Sequence, residues 1–404
     1  MKRKLNILAG DTALWVIFFL ISGISLIAVY SSIGLSAISE MLSSPSAVFF
    51  RHLVIVLATY VAIIILSHIN YRYFSKVSKW LFYISIGLLI LVLFIGTKRW
   101  IRLPGGLSFQ PSEIAKIALM VYLARTIVRN RETLDVKQTF FMLLLPVAVI
   151  CLLIVPENLS TAIIIFMACY ITLFFGGVNK QLWWKGMAII LGVAVVGFIV
   201  LYLMGDKMDF ARSSTWGHRL QAWMHPNPAE LTQENMARMA VARGGFWGSG
   251  IGTTIHGRLM TQAHNDFIYA IIIEEAGLLS AIGIFLLYAL FYFRCIRIAT
   301  RCQGTFGSLS VAGIGTVIFL QALVHMSVSV GLLPVTGQTL PFISYGGTAY
   351  LFLGLGIGVI QSVAADNKKQ ARLAQKAEAE GQKPGVRADI HNDNEPLNEN
   401  PIEQ

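Results

Sequence analysis

The chain has 404 residues, a formal net charge of +11, 55% hydrophobic residues and only 13% charged ones. With a mean hydropathy of +0.66, this composition excludes an ordinary soluble domain and indicates a polytopic membrane protein. The basic residues fall in short clusters between apolar segments, so they report membrane orientation and argue against nucleic acid as a partner.

A helix needs about 20 residues to cross the hydrocarbon core. On that basis the expected fold is an all-α integral membrane protein of ten transmembrane helices, near residues 13–35, 48–68, 80–96, 111–129, 138–155, 159–177, 184–204, 266–293, 309–333 and 342–365. The first follows MKRK but is too long for a signal peptide and lacks a small-residue cleavage site, so it reads as a retained helix. The fifth and sixth are separated by Pro156–Asn158 and should form a tight antiparallel hairpin. Residues 205–265 form a long extracytoplasmic loop between helices 7 and 8, within a membrane domain of residues 1–365. Residues 366–404 are polar and read as a disordered cytoplasmic tail. Basic clusters in alternate loops place both termini in the cytoplasm. The four cysteines, Cys151, Cys169, Cys295 and Cys302, avoid the exterior loops, which argues against a disulfide framework.

Four stretches carry unexplained polarity, three of them outside by that orientation. The first is KRWIRLPGGLSFQPSEIAK, residues 98–116: Pro111 suits the first position of a helix, and Glu113 and Lys116 share one face of it. They could simply neutralise each other, while Lys98, Arg99 and Arg102 meet headgroups. Together the cations are also what a pyrophosphate-bearing lipid would need. The second is the long loop, whose glycines and Met, Trp and Phe residues suit amphipathic segments at the interface. The third, TQAHNDFIYAIIIEEAG, sets His264 and Asp266 at a helix mouth, where Asn265 or Asp266 could serve as an N-cap. Glu274 and Glu275 would lie about 12 to 14 Å into that helix, too deep for bases and in need of partners. The fourth, GLLPVTGQTLPFISYGGTAY from Gly331 to Tyr350, is irregular and rich in hydroxyls, as a cavity wall would be. No phosphate loop, HExxH, paired CxxC or GxSxG occurs.

Taken jointly, KRWI…FQPSEIAK, ENLSTAIIIF, RGGFWGSGIG, AHNDFIYAIIIEEAGLLSA and LLPVTGQTLPFISYGG resemble the SEDS family (shape, elongation, division and sporulation) of bacterial cell-wall synthesis. Ala263 before His264 and LLPVTG before TLPFISYGG look more like its division branch than its elongation branch. The resemblance implies a ten-helix peptidoglycan glycosyltransferase of the inner membrane that polymerises lipid II onto undecaprenyl-diphosphate-linked glycan. Its implied partners are a class B penicillin-binding protein and other division proteins. Asp266 matches the family's essential aspartate. Arg99, Trp100, Glu113, Lys116 and Gln233 match its polar elements, and Asn158, His264 and Ser344 join them as candidate substrate contacts. Three positions depart from the pattern: PENLSTA replaces the usual PDLGTA, so Asn158 stands where an aspartate does and Glu157 could supply the carboxylate; HNDF replaces HTDF; and His325 replaces asparagine.

The implied reaction is an inverting transfer with Asp266 as general base toward the acceptor 4-hydroxyl. Arg99, Lys116 or a divalent cation, Mg or Mn, would meet the departing diphosphate. A lipid II flippase and a noncatalytic scaffold for the penicillin-binding protein remain as alternatives. Unexplained charge at 97–116, 205–266 and 334–345, all exterior, favours the polymerase, because a flippase needs polar groups continuing to the inner leaflet.

Overall fold

A computed structural model describes residues 8–32, 45–95, 101–102, 108–204, 213–227, 230, 232–260 and 263–379. Long helices occupy all ten positions expected from hydropathy: α1 (Thr12–Ser32), α2 (Pro45–His68), α3 (Arg72–Ile95), α4 (Pro111–Arg129), α5 (Lys137–Ile154), α6 (Leu159–Phe175) and α7 (Lys180–Met204), then, beyond the long loop, α12 (Ile268–Thr300), α13 (Thr305–Ser329) and α14 (Thr348–Ala379). Among the described residues, eight of these are long and apolar enough to cross a membrane. The other two are α6, which is short, and α4, whose Glu113, Lys116, Arg125 and Arg129 lower its hydropathy.

The described part of the long loop is mostly helical, with α8 (Ser213–Met224), α9 (Gln233–Gly244), α10 (His256–Leu259) and α11 (Ala263–Asp266). A two-residue antiparallel ladder pairs β1 (Ile101–Arg102) with β2 (Ser108–Phe109) just ahead of α4. Pro111 starts α4, where a missing N–H costs nothing. The α5–α6 hairpin turns as expected: Glu157 N and Asn158 N both donate to Ile154 O, at 2.9 and 2.8 Å.

The central helix is α13, packed against α4, α6, α12 and α14. Close approach rests on small residues, as is usual where lipid supplies no driving force between helices. Gly354 and Gly358, one turn apart on α14, touch Thr59 and Leu66 of α2. The outer surface is apolar, with Ile189, Leu191, Val193 and Val196 exposed along α7.

Two contacts define the ends of the bundle. At one, Arg294 of α12 pairs with Asp11 ahead of α1, and Asp11 N donates to Gln361 Oε1 of α14 at 2.7 Å. At the other, Ser31 near the end of α1 donates to Glu275 of α12.

Three expectations need correction. The polar tail is not irregular from residue 366, because α14 runs on to Ala379; the stretch NKKQARLAQKAEA consists largely of strong helix formers. The helix expected over 266–293 is two pieces: Gly277, at φ 75° and ψ −176°, breaks α12 after Ala276. Neither Asn265 nor Asp266 caps α12. Its N-cap is Phe267, without a side-chain cap, because residues 263–266 form a turn of helix of their own.

Candidate active site

The break in α12 is where the glycine-rich turn of residues 244–252 docks. Ser249 N and Gly250 N donate to Glu274 O and Glu275 O, both at 2.9 Å, and Leu278 N donates to Gly245 O at 3.0 Å. A side chain at Gly248 or Gly277 would run into the opposing backbone, and both residues hold positive φ, which glycine adopts without strain.

The two glutamates lock this junction. Glu274, fully buried, receives Arg243 Nη1 at 2.7 Å, His256 Nδ1 at 2.9 Å, Thr254 Oγ1 at 2.5 Å and Ile255 N at 3.2 Å. Glu275 receives Ser31 Oγ and, at 3.1 Å, Gly252 N. Both therefore serve as structural acceptors, and what buries them is the docked turn and the end of α1, not the depth expected within a continuous helix, because Gly277 breaks the helix there.

At the head of α12 the chain passes through His264, Asn265 and Asp266. The segment 331–347, between α13 and α14, forms a strap that holds this turn by its main chain. Tyr345 N donates to His264 O at 3.0 Å, and Ser344 Oγ donates to Asn265 O at 2.7 Å. The His264 ring is 5% exposed and lies 5.8 Å, edge-on, from Tyr345. Burial lowers its pKa to about 4, so it stands neutral beside the carboxylate at neutral pH. Asp266 is partly exposed. Of the three carboxylates on residues 266–275, it is the one left partly exposed.

Beneath the strap lies a run of buried polar groups. Lys116 Nζ meets Glu113 Oε2 at 2.8 Å and donates to Gln321 Oε1 of α13 at 2.6 Å. Gln321 Nε2 donates to Thr339 O at 3.0 Å, and Gln338 Nε2 donates to Thr161 Oγ1 at 2.6 Å. Thr161 N in turn donates to Asn158 Oδ1 at 3.2 Å. Above the strap, Arg219 Nη1 and Trp223 Nε1 of α8 donate to Val335 O and Gly331 O, at 3.3 and 3.0 Å. Beside Gln233, burial raises the pKa of Glu234, opposed by Arg219 and Arg238.

The sequence of residues 11–369 matches the FtsW/RodA/SpoVE family of cell cycle proteins. The chain belongs to this family, the SEDS proteins. It is 31% identical over 309 residues to a protein of Geobacter sp. (strain M18) named probable peptidoglycan glycosyltransferase FtsW, covering 74% of this chain and 81% of that one. Identity is also 31%, over 318 residues, to the peptidoglycan glycosyltransferase MrdB of Escherichia coli K12, covering 76% and 83%. Among solved structures, a peptidoglycan synthase complex that coordinates polymerisation and crosslinking superposes with a TM-score of 0.70 at 21% identity, covering 89% of this chain and 99% of the matched one. Thermus thermophilus RodA superposes at 0.63, with 21% identity and 89% and 98% coverage. These likenesses establish the polytopic SEDS fold.

Within this SEDS chain, the candidate residues divide by position. His264, Asp266 and Ser344 come together at the head of α12. Arg99 and Trp100 lie outside the described residues. Lys116 is fully buried and engaged by Glu113 and Gln321, so it is not the open cation that a phosphate contact requires. The reason is that a bare ammonium inside a bundle is too costly to leave without acceptors. Asn158 caps α6, and the Ser344 hydroxyl is committed to Asn265, so both shape the site instead of facing an open cavity. Gln233 opens α9, whose cap is Thr232. Sequence reasoning missed Gln321, Gln338, Arg243, Thr254 and His256. Gln321 had one signal, an amide inside an apolar span.

Proposed function

We propose that this SEDS protein is a peptidoglycan glycosyltransferase that polymerises lipid II at the outer face of the bacterial cytoplasmic membrane during cell division. Its relatives carry that activity in their names, under both FtsW and MrdB. The observation that carries the reading is the head of α12: a partly exposed carboxylate on a turn fixed by strap and bundle. On the expected orientation, ten crossings with both termini cytoplasmic, the Ser31–Glu275 end of the bundle faces outward, and the site opens toward that side.

In the proposed reaction the acceptor 4-hydroxyl gives its proton to Asp266 as its oxygen attacks the anomeric carbon of the growing chain. The bond to the undecaprenyl diphosphate breaks, and the anomeric configuration inverts. A hydroxyl needs such a base because its own acidity is too weak at neutral pH. His264, neutral and buried, brings no charge to this step. Arg99 is the candidate for the departing diphosphate. Among the described residues no cluster of three or more His, Cys, Asp or Glu could hold a metal. Any such cation would arrive with the diphosphate, and no step depends on it here. The partner is a class B penicillin-binding protein, alongside other division proteins.

The test is purified protein in detergent with labelled lipid II, with and without a penicillin-binding partner and with a chelator. Glycan polymers are expected, and their formation without a bilayer excludes a flippase as the sole activity. Transport in liposomes with no polymer from folded, partner-bound protein would overturn the reading.

A further inference from the structure

The buried Glu113–Lys116 pair is expensive to keep. Apolar residues of similar volume usually stabilise a protein interior as well or better, so a buried ion pair is weak evidence for stability. Here its polarity is used in one direction. The Lys116 ammonium can only donate, so it fixes which end of the Gln321 amide faces it: Oε1 accepts, and the NH2 group must point the other way. That NH2 group reaches Thr339 O in the strap.

From there the connection continues to the base. Leu340, next in the chain, donates its N–H to Ser344 Oγ at 2.8 Å. Ser344 then donates to Asn265 O, the carbonyl of the peptide bond that leads into Asp266. Every side chain on this path is buried: Glu113 4%, Lys116 0%, Gln321 1% and Ser344 2% exposed.

The strap between Thr339 and Ser344 also needs holding. Phe342 sits at φ 61°, the one described residue other than glycine with positive φ. Such a conformation persists only where the surroundings over-determine it. Phe342 is buried against Phe18 and Tyr350, with ring centroids 5.1 and 5.4 Å away, while Gln321 and Ser344 secure the backbone on either side.

We propose that Gln321 is a positioning residue for Asp266: with its amide oriented by Lys116, it anchors the strap whose Ser344 holds the turn carrying the carboxylate. The inference rests on the reading of Asp266 as general base. It reassigns Lys116 from phosphate contact to the far end of a positioning path, and it makes α4 and the base one mechanical unit across α13.

Two variants probe it. Gln321→Glu keeps an acceptor for Lys116 and removes the donor to Thr339, whereas Ser344→Ala cuts the path at its last link. With purified protein and its partner, each should lower kcat for lipid II polymerisation about 10- to 100-fold and change KM by less than about threefold, as expected when a transition-state group is misplaced. Amide exchange over residues 263–267, which does not depend on activity, should rise about tenfold, the equivalent of one hydrogen bond. The double variant should be no worse than the poorer single one. If one variant does not fold, the other carries the same pair of measurements. Unchanged exchange at 263–267 in the folded variants, with Asp266→Asn inactive, overturns the proposal and leaves the base reading standing. Raised exchange with Asp266→Asn fully active overturns the base reading and with it the role toward Asp266, leaving only the mechanical link from Gln321 to the turn.

Discussion

Replacing Glu274 tests whether the glutamates build the site or act in it. Glu274 Oε1 accepts from Arg243, His256 and Ile255, and Oε2 accepts from Thr254, whose Oγ1 also accepts from Gly257 N at 2.9 Å. In Glu274→Gln the amide NH2 faces Thr254, which then has to give up its donated bond, and the bond from Arg243 loses its charge assistance. Hydrogen bonds to charged groups contribute about 1.5–3 kcal/mol. Because the Arg243 side chain is 33% exposed and regains water, the expected cost is about 2 kcal/mol, toward the low end of that range. Glu274→Ala loses every acceptor and leaves a cavity, for about 4 kcal/mol. Both figures describe opening of the junction with the glycine-rich turn, whose Ser249 and Gly250 amides are direct reporters. At about 1.4 kcal/mol per tenfold, exchange of those amides should rise about 30-fold in Glu274→Gln and several hundredfold in Glu274→Ala. Changes below about threefold in both, with polymerisation abolished, would refute the structural role and return Glu274 to the chemistry.

Four further outcomes follow from the same geometry. Gly277→Ala forces an alanine into a conformation reserved for glycine and against Phe246 O, so it should cost about 2–3 kcal/mol and lower the yield of folded protein. Gly87→Ala, with open space around it on α3, should be neutral or slightly stabilising in thermal unfolding in detergent. His264 has a folded pKa of about 4 against 6.5 unfolded, so below pH 6.5 the unfolded chain takes up the proton first. Its contribution to stability is therefore whole above pH 6.5 and falls by up to about 3 kcal/mol as pH drops toward 4; melting curves of wild type and His264→Gln should converge over that window. Lys116→Met strands the Glu113 carboxylate and should cost about 3–5 kcal/mol, whereas Glu113→Gln combined with Lys116→Met should recover most of it, measured by thermal unfolding in detergent.

The ten long helices were legible because the apolar runs are long and the punctuation between them is plain. Even α4, with four charges, announced itself through Pro111 and its apolar face. The break in α12 was hidden, since the apolar pattern continues on both sides of Gly277 and only the docked turn explains its φ. That Glu274 and Glu275 need partners was visible, yet depth in a helix is not what buries them and the partners could not be named. Glu274 finds Arg243 and His256, and Glu275 finds Ser31 from the far end of the chain; no local spacing rule predicts such pairs. Lys116 was misjudged for a related reason: its spacing to Glu113 was visible, but the Gln321 acceptor that completes its burial lies on a helix distant in sequence. The turn of helix at 263–266 displaced the cap because the strap, which no helix signal foretells, holds its carbonyls.

The most direct measurement is lipid II polymerisation by purified wild-type and Asp266→Asn protein, each with the proposed penicillin-binding partner and matched in melting temperature. Loss of a general base contributing about 10²–10⁴-fold predicts a kcat lower by at least about two orders of magnitude, with substrate binding retained. A folded Asp266→Asn protein that polymerises lipid II at the wild-type rate would contradict the account.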